Sequence, residues 1–161
     1  MQDLHLTVAA IIEDQGRFLM VEEYVGGHLV INQPAGHVEP GEAISAAVSR
    51  EVTEETAWQF TPDAITGIYL WQQPVCKEHF LRIAFCGSHF DHNASLELDD
   101  GIVRTLWLTR DELVKRGEQL RSPMVLKGID DYLAGSRFPQ DLVSHVSTDD
   151  LLERASLISN D

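Results

Sequence analysis

Residues 42–56, EAISAAVSREVTEET, contain neither Gly nor Pro and are rich in Ala and Glu, a composition that predicts a helix. At ~100° per residue the apolar stripe of Ile44, Ala47 and Val48 runs into Glu51, and Glu54 and Glu55 extend it by one more turn. The core-facing side therefore turns acidic at the end of the helix whose backbone already carries partial negative charge. Carboxylates ~6 Å apart repel by ~3 kcal/mol per pair at an effective dielectric near 20. Relief requires protonation, a nearby arginine or a hard cation, and clustered oxygen ligands suit Mg²⁺ or Mn²⁺. The competing reading is that the glutamates splay into water and pair with neighbours such as Arg50.

Around this helix the chain alternates strand-like and punctuated segments. LTVAAII (residues 6–12) reads as a buried strand, and RFLMVE (17–22) as its hairpin partner across the turn EDQG. HLVINQPAG (28–36) supplies a short strand broken at Pro34 and Gly36, followed by the loop VEPGE. After Pro62 come three more strand-like runs: AITGIYLWQQ, HFLRIAFCGSHF and GIVRTLWLT. Thr109 and Glu112 form a capping box that opens a short helix to about Arg116. A further helix is predicted from Ser122 as N-cap and Pro123 at the first position, with Val125, Leu126, Ile129, Tyr132 and Leu133 as its apolar stripe and Gly135 at its end. The order of elements predicts an α/β fold, a layered α/β/α sandwich around a mixed sheet, with residues 1–140 as the domain and 141–161 as an acidic tail or packed helix.

The whole-chain composition narrows the function classes. With 161 residues and 43% hydrophobic content the chain fits one domain. Twelve Lys and Arg against 26 Asp and Glu give a net charge of -14, which repels polyanions and argues against a nucleic-acid polymer as partner. A small anionic substrate stays open, because bound cations reverse the local sign. Cys76 and Cys86 match no zinc spacing, so free thiols in a reducing cytoplasm are expected. The N-terminal apolar run lacks a basic flank and is too short to span a bilayer, so neither export nor a membrane partner is expected.

Read together, Gly36, Glu42 and the run from Arg50 to Glu55 have the spacing G-x5-E-x7-R-E-U-x-E-E. This pattern resembles the signature box of the Nudix hydrolase family, and the loop and helix that carry it are those already placed here. The resemblance implies a Nudix-type sandwich in which a loop-helix-loop binds the metals that bridge a diphosphate substrate. By the same resemblance, Glu51, Glu54 and Glu55 are the implied metal ligands and catalytic carboxylates, with Glu51 a candidate base. The Gly36 carbonyl is an implied further ligand, and Glu42 and Arg50 are an orienting ion pair two turns apart along the helix. The chain departs from the family pattern at the helix exit, where Ala57 and Trp58 replace a glycine and an aliphatic residue. Alanine loses ~1 kcal/mol in the left-handed backbone that glycine adopts freely. Trp58 is expected to pack on the core.

FLMVEE, NQPAGHVE, FLRIAF, LRSPMV and YLAGSRFP extend the likeness to a phosphatase branch of the family. That branch implies Mg²⁺-dependent release of orthophosphate from nucleoside tri- and diphosphates and from hydroxymethylpyrimidine diphosphate. Another small phosphorylated metabolite, such as a nucleotide sugar or dinucleotide, and a non-catalytic binding module of the same fold are the alternatives, as monomer or homodimer. Such hydrolysis needs an activated water and neutralised phosphoryl oxygens, and no Ser, Cys or His nucleophile. One of Glu97, Asp99 and Asp100 in LELDDG is a candidate to complete the site, against a solvated acidic turn. Arg17, Lys77 and Arg82 are candidates to meet phosphate oxygens, against ordinary surface cations. Trp71 is a candidate stacking surface for a ring, against a core tryptophan, and His37 a substrate contact or loop cap.

Overall fold

The computed structural model describes residues 3–150 of the chain. In chain order it runs β1 (Leu4–Ile11), β2 (Glu13–Asp14), β3 (Arg17–Val25), β4 (His28–Asn32), β5 (Ala35–His37), α1 (Ile44–Thr56), β6 (Gln59–Gln72), β7 (His79–Phe90), β8 (Ile102–Leu108), α2 (Arg110–Lys115) and α3 (Met124–Leu133). The uninterrupted apolar runs of β1 and β3 have a simple cause: both strands are covered on both faces. Val8 and Ala10 of β1 and Leu19 of β3 pack with Ala47, Val48 and Val52 of α1. Their alternate neighbours Ile11, Phe18 and Met20 pack with Leu113 of α2 and with Val125 and Ile129 of α3. The result is the expected α/β/α layering, with α1 on one face and α2 and α3 on the other.

The strands form two sheets rather than one. The first has the order β5-β1-β7-β6, with β1 and β7 parallel and the outer pairs antiparallel. In the second, β3 is paired antiparallel to β2, β4 and β8. The expected hairpin between residues 6–12 and 17–22 is corrected accordingly. Its turn forms, and Glu13 and Asp14 pair back with Phe18 and Arg17 while the Ile12 carbonyl accepts from the Leu19 N–H at 2.9 Å, but β1 belongs to the other sheet. Likewise β6 starts at Gln59, ahead of Pro62, instead of after it. Proline is tolerated there because β6 is an edge strand and the register slips between Pro62 and Ala64.

Helix boundaries differ in instructive ways. α1 begins two positions later than expected, behind an extended Ala43, which leaves Glu42 in the turn before the helix. Its exit survives the missing glycine: Ala57 takes φ 61 and donates its N–H to Thr53 O at 2.9 Å. The strain of ~1 kcal/mol is offset in part because the Ala57 methyl is buried. Trp58 packs on the core as expected. The Thr109–Glu112 capping box is present at α2. Ser122, by contrast, does not cap α3: Pro123 occupies that position with no side-chain cap bond. On α3, Val125 and Ile129 are fully buried, whereas Leu133 turns outward at 54% exposure. Beyond α3, Phe138 bridges to Ile65 and Val143 packs on the first core. The expected C-terminal packed helix falls mainly on residues 151–161, outside the described residues.

Gly87 pairs with Pro62 at the β6 irregularity, and a Cβ added there would overlap the Thr61 carbonyl oxygen. Backbone cannot rotate away as a side chain would. Gly87→Ala is therefore expected to lose about 1–3 kcal/mol, read as a lower urea midpoint at unchanged slope. An unchanged midpoint would mean that the bulge yields freely.

Candidate active site

The site is assembled around one guanidinium. Because Glu42 precedes α1, its carboxylate can fold back along the first turns. Arg50 Nε donates to Glu42 Oε1 at 2.8 Å, and Nη2 to Glu42 Oε2 at 3.0 Å, a bidentate pair. Nη1 donates to Glu51 Oε1 at 2.8 Å and to Glu54 Oε2 at 2.9 Å, and Nη2 also reaches the His37 carbonyl at 3.0 Å. The arginine thus ties the turn, the helix and β5 together. Glu42, through this bond above all, holds the Arg50 pKa well above its ordinary value, and Arg50 lowers that of Glu42 in return. The expected Glu42–Arg50 ion pair is present, with the correction that Glu42 stands in the turn before the helix and not on it.

The three helix carboxylates occupy different environments. Glu51 is 7% exposed and lies against Gly36, where a Cβ would overlap its carboxylate. Burial raises the Glu51 pKa and the bonds from Arg50 oppose the rise. Glu54 is the open one, with its side chain 40% exposed. Glu55 turns the other way, accepting the Ala35 N–H at 2.9 Å, and burial pushes it up to about 9 despite that bond. The third partner of the cluster is Asp99: oxygens of Glu51, Glu54 and Asp99 lie within 4.8 Å of one another. Asp99 N–H donates to the Glu54 carbonyl at 3.0 Å and Asn93 N–H to that of Ala57 at 2.9 Å, so this loop satisfies the open carbonyls of the helix end.

Gly36 and His37 also form one wall of a cleft of about 630 Å³. Trp71, Phe80 and Arg82 line it from β6 and β7, and Arg121 and Ser122 from the segment before α3. Of the candidates from sequence, Asp99 joins the glutamates, while Glu97 and Asp100 are exposed outside the three-carboxylate cluster. Arg82 and Trp71 line the cleft, but Lys77 does not: it sits in the β6–β7 turn at φ 64. Arg17 is engaged elsewhere, with Glu112 and the Trp107 carbonyl, both at 3.1 Å. Burial and the neighbouring Arg121 lower the Arg82 pKa to about 10, and Glu23 and Glu55 pull the other way. Sequence reasoning missed Glu23, Asn32 and Arg121 as cleft residues and took Ser122 for a cap. No local pattern marks the first three, whose meeting depends on strand pairing.

An all-oxygen donor set of three carboxylates fits a hard divalent cation. In its absence Glu55 supplies a pH signature. Its folded pKa of about 9 lies above the ordinary value of 4.5, so the folded chain holds an extra proton between those values. Stability of chelator-treated protein therefore falls as pH rises through that window. Glu55→Gln is expected to flatten the fall between pH ~5 and pH ~9, measured by urea denaturation. An identical slope in both proteins would contradict burial of Glu55 as the cause.

Comparison with known proteins gives the same picture. Residues 3–127 match the NUDIX domain family. The curated phosphatase NudJ of Escherichia coli K12 is 34% identical over 139 residues, covering 86% of this chain and 90% of that protein. A NUDIX hydrolase from Nitrosomonas europaea matches with a TM-score of 0.87 and 42% identity, over 89% of this chain and 98% of its own. The MutT protein from Methanosarcina mazei Go1 shares the fold, with a TM-score of 0.68 at 21% identity over 84% of this chain and 98% of its own. The chain belongs to the Nudix hydrolase family.

Proposed function

We propose that residues 1–140 form a Mg²⁺-dependent hydrolase of small phosphorylated metabolites. It cleaves the phosphoanhydride of nucleoside tri- and diphosphates and of hydroxymethylpyrimidine diphosphate and releases orthophosphate. The observation that carries this reading is the grouping of Glu51, Glu54 and Asp99 beside Gly36, at the edge of a cleft large enough for a nucleotide. Mn²⁺ suits the same donors. The name of NudJ, a phosphatase, supports orthophosphate as the product. The absence of a membrane-spanning helix among the described residues is consistent with a cytoplasmic enzyme.

In this reading Glu51, Glu54 and Asp99, with the Gly36 carbonyl, hold the cation. When bound, it neutralises phosphoryl oxygens and lowers the pKa of the attacking water. Glu54 has the most open carboxylate of the helix and takes the proton from that water. Arg50 keeps Glu51 and Glu54 from separating, and Glu55 fixes β5 behind Gly36 through the Ala35 N–H. Trp71 and Phe80, tilted with ring centroids 5.8 Å apart, offer an apolar wall for a ring, and Arg82 lines the same cleft.

Purified protein assayed with Mg²⁺ on a panel of di- and triphosphates is expected to release orthophosphate from nucleoside diphosphates and hydroxymethylpyrimidine diphosphate. Glu54→Gln is expected to lower kcat/KM by roughly 10²–10⁴ and to raise the Mg²⁺ concentration needed for half-maximal activity. Pyrophosphate as the product would favour hydrolysis of a nucleotide sugar or dinucleotide, and no turnover on any substrate would favour a binding module.

A further inference from the structure

Among the described residues, the lysines and arginines that line the cleft are Arg82 and Arg121 alone. They differ in availability. Arg82 is 6% exposed, and its Nη1 donates to Asn32 Oδ1 at 3.3 Å and to Gln33 Oε1 at 3.4 Å. Arg121 is half-buried, and among the described residues its guanidinium has neither a hydrogen bond nor an ion pair. The protein carries a net charge of -14, and Glu23 and Glu78 line the same cleft. A cation kept free of carboxylates in such surroundings is available to an anionic ligand.

The local backbone explains why this side chain faces the cleft. Leu120 is extended and bridges Ile31 in parallel, and the Arg121 N–H donates to the Ile31 carbonyl at 2.9 Å, so the two residues run as a short strand beside β4. Successive side chains on such a segment point to opposite sides. Leu120 packs on the second core, which turns Arg121 the other way, within electrostatic reach of His37 and Arg82. His37 follows Gly36, the residue that lies against the Glu51 carboxylate. Arg121 also borders a second cavity of about 340 Å³, together with Trp71, Leu120, Pro123 and Leu126. Arg121 and Trp71 thus stand where the cleft meets an apolar recess.

From these observations we infer that Arg121 is a substrate-binding residue, which holds the second phosphoryl group of a diphosphate whose first lies at Glu51, Glu54 and Asp99. The inference rests on the hydrolase reading for the place of that first group. The planar guanidinium presents parallel N–H donors that match a pair of phosphoryl oxygens. A monophosphate at the carboxylates leaves these donors empty, whereas a diphosphate fills them, so Arg121 makes the cleft select diphosphates. The organic group of the substrate then continues past Arg121 toward Trp71 and the apolar recess.

The test is isothermal titration, with Mg²⁺ present, of methylenediphosphonate, whose P–C–P bridge resists hydrolysis, and of inorganic phosphate. Arg121→Gln, checked for folding by circular dichroism, is expected to weaken methylenediphosphonate binding roughly 10- to 100-fold and inorganic phosphate binding less than about twofold. Arg121→Lys keeps the charge without the fork and is expected to recover part of the loss. With nucleoside diphosphates as substrates, Arg121→Gln is expected to raise KM and to leave kcat within about twofold. Unchanged methylenediphosphonate affinity in Arg121→Gln, or a loss of equal size for both probes, would overturn the assignment. Neither probe is turned over, so the two readings fail separately. Binding that depends on Arg121 without hydrolysis of any substrate sinks only the hydrolase, and hydrolysis with a KM that Arg121→Gln leaves in place sinks only the role of Arg121.

Discussion

The five donors of Arg50 are the constraint on which the site depends. All are used, on Glu42, Glu51, Glu54 and the His37 carbonyl. A lysine could not reproduce this planar fork, since its ammonium offers three donors from a single point. One positive charge against the three glutamates it bonds leaves a local excess of negative charge, to which Asp99 adds. The arginine therefore makes the carboxylate cluster tolerable in the absence of metal without neutralising it. In the proposed reading, that residual charge draws a hard cation and, through it, an anionic substrate into a protein whose net charge is -14.

The rest of the fold serves to hold this cluster still. α1 is clamped by its apolar face on the first core, and its C-terminal carbonyls are taken by the loop that carries Asp99. β5 is fixed from two sides, by β1 through the sheet and by Glu55 through the Ala35 N–H. Gly36 has to be glycine because the Glu51 carboxylate occupies the place of a Cβ. The need arises from close approach and not from a turn, so the local sequence alone gives the position without the reason.

Much of this was legible from the chain. The acidic continuation of the apolar stripe holds for Glu51 and Glu55, both buried, while Glu54 flanks it in partial contact with solvent. Periodicity and capping rules located α1, α2 and α3 because those features are local. What stayed hidden depends on non-local pairing. The division into two sheets, the assignment of β1 and β3 to different sheets, and the meeting of Asn32 and Arg82 all arise from contacts between segments far apart in sequence. Ser122 shows the limit most clearly: a Ser-Pro pair reads locally as a helix start, yet its hydroxyl is buried beside the cleft and caps nothing.

The central claim is that Glu51, Glu54 and Asp99 together bind a divalent cation. Crystals soaked in Mn²⁺ and examined by anomalous scattering test it most directly. The account predicts a peak bounded by oxygens of these three side chains at roughly 2.2 Å, with Arg50 still on Glu42. A peak elsewhere, or none with the three carboxylates well ordered around Arg50 alone, would contradict it.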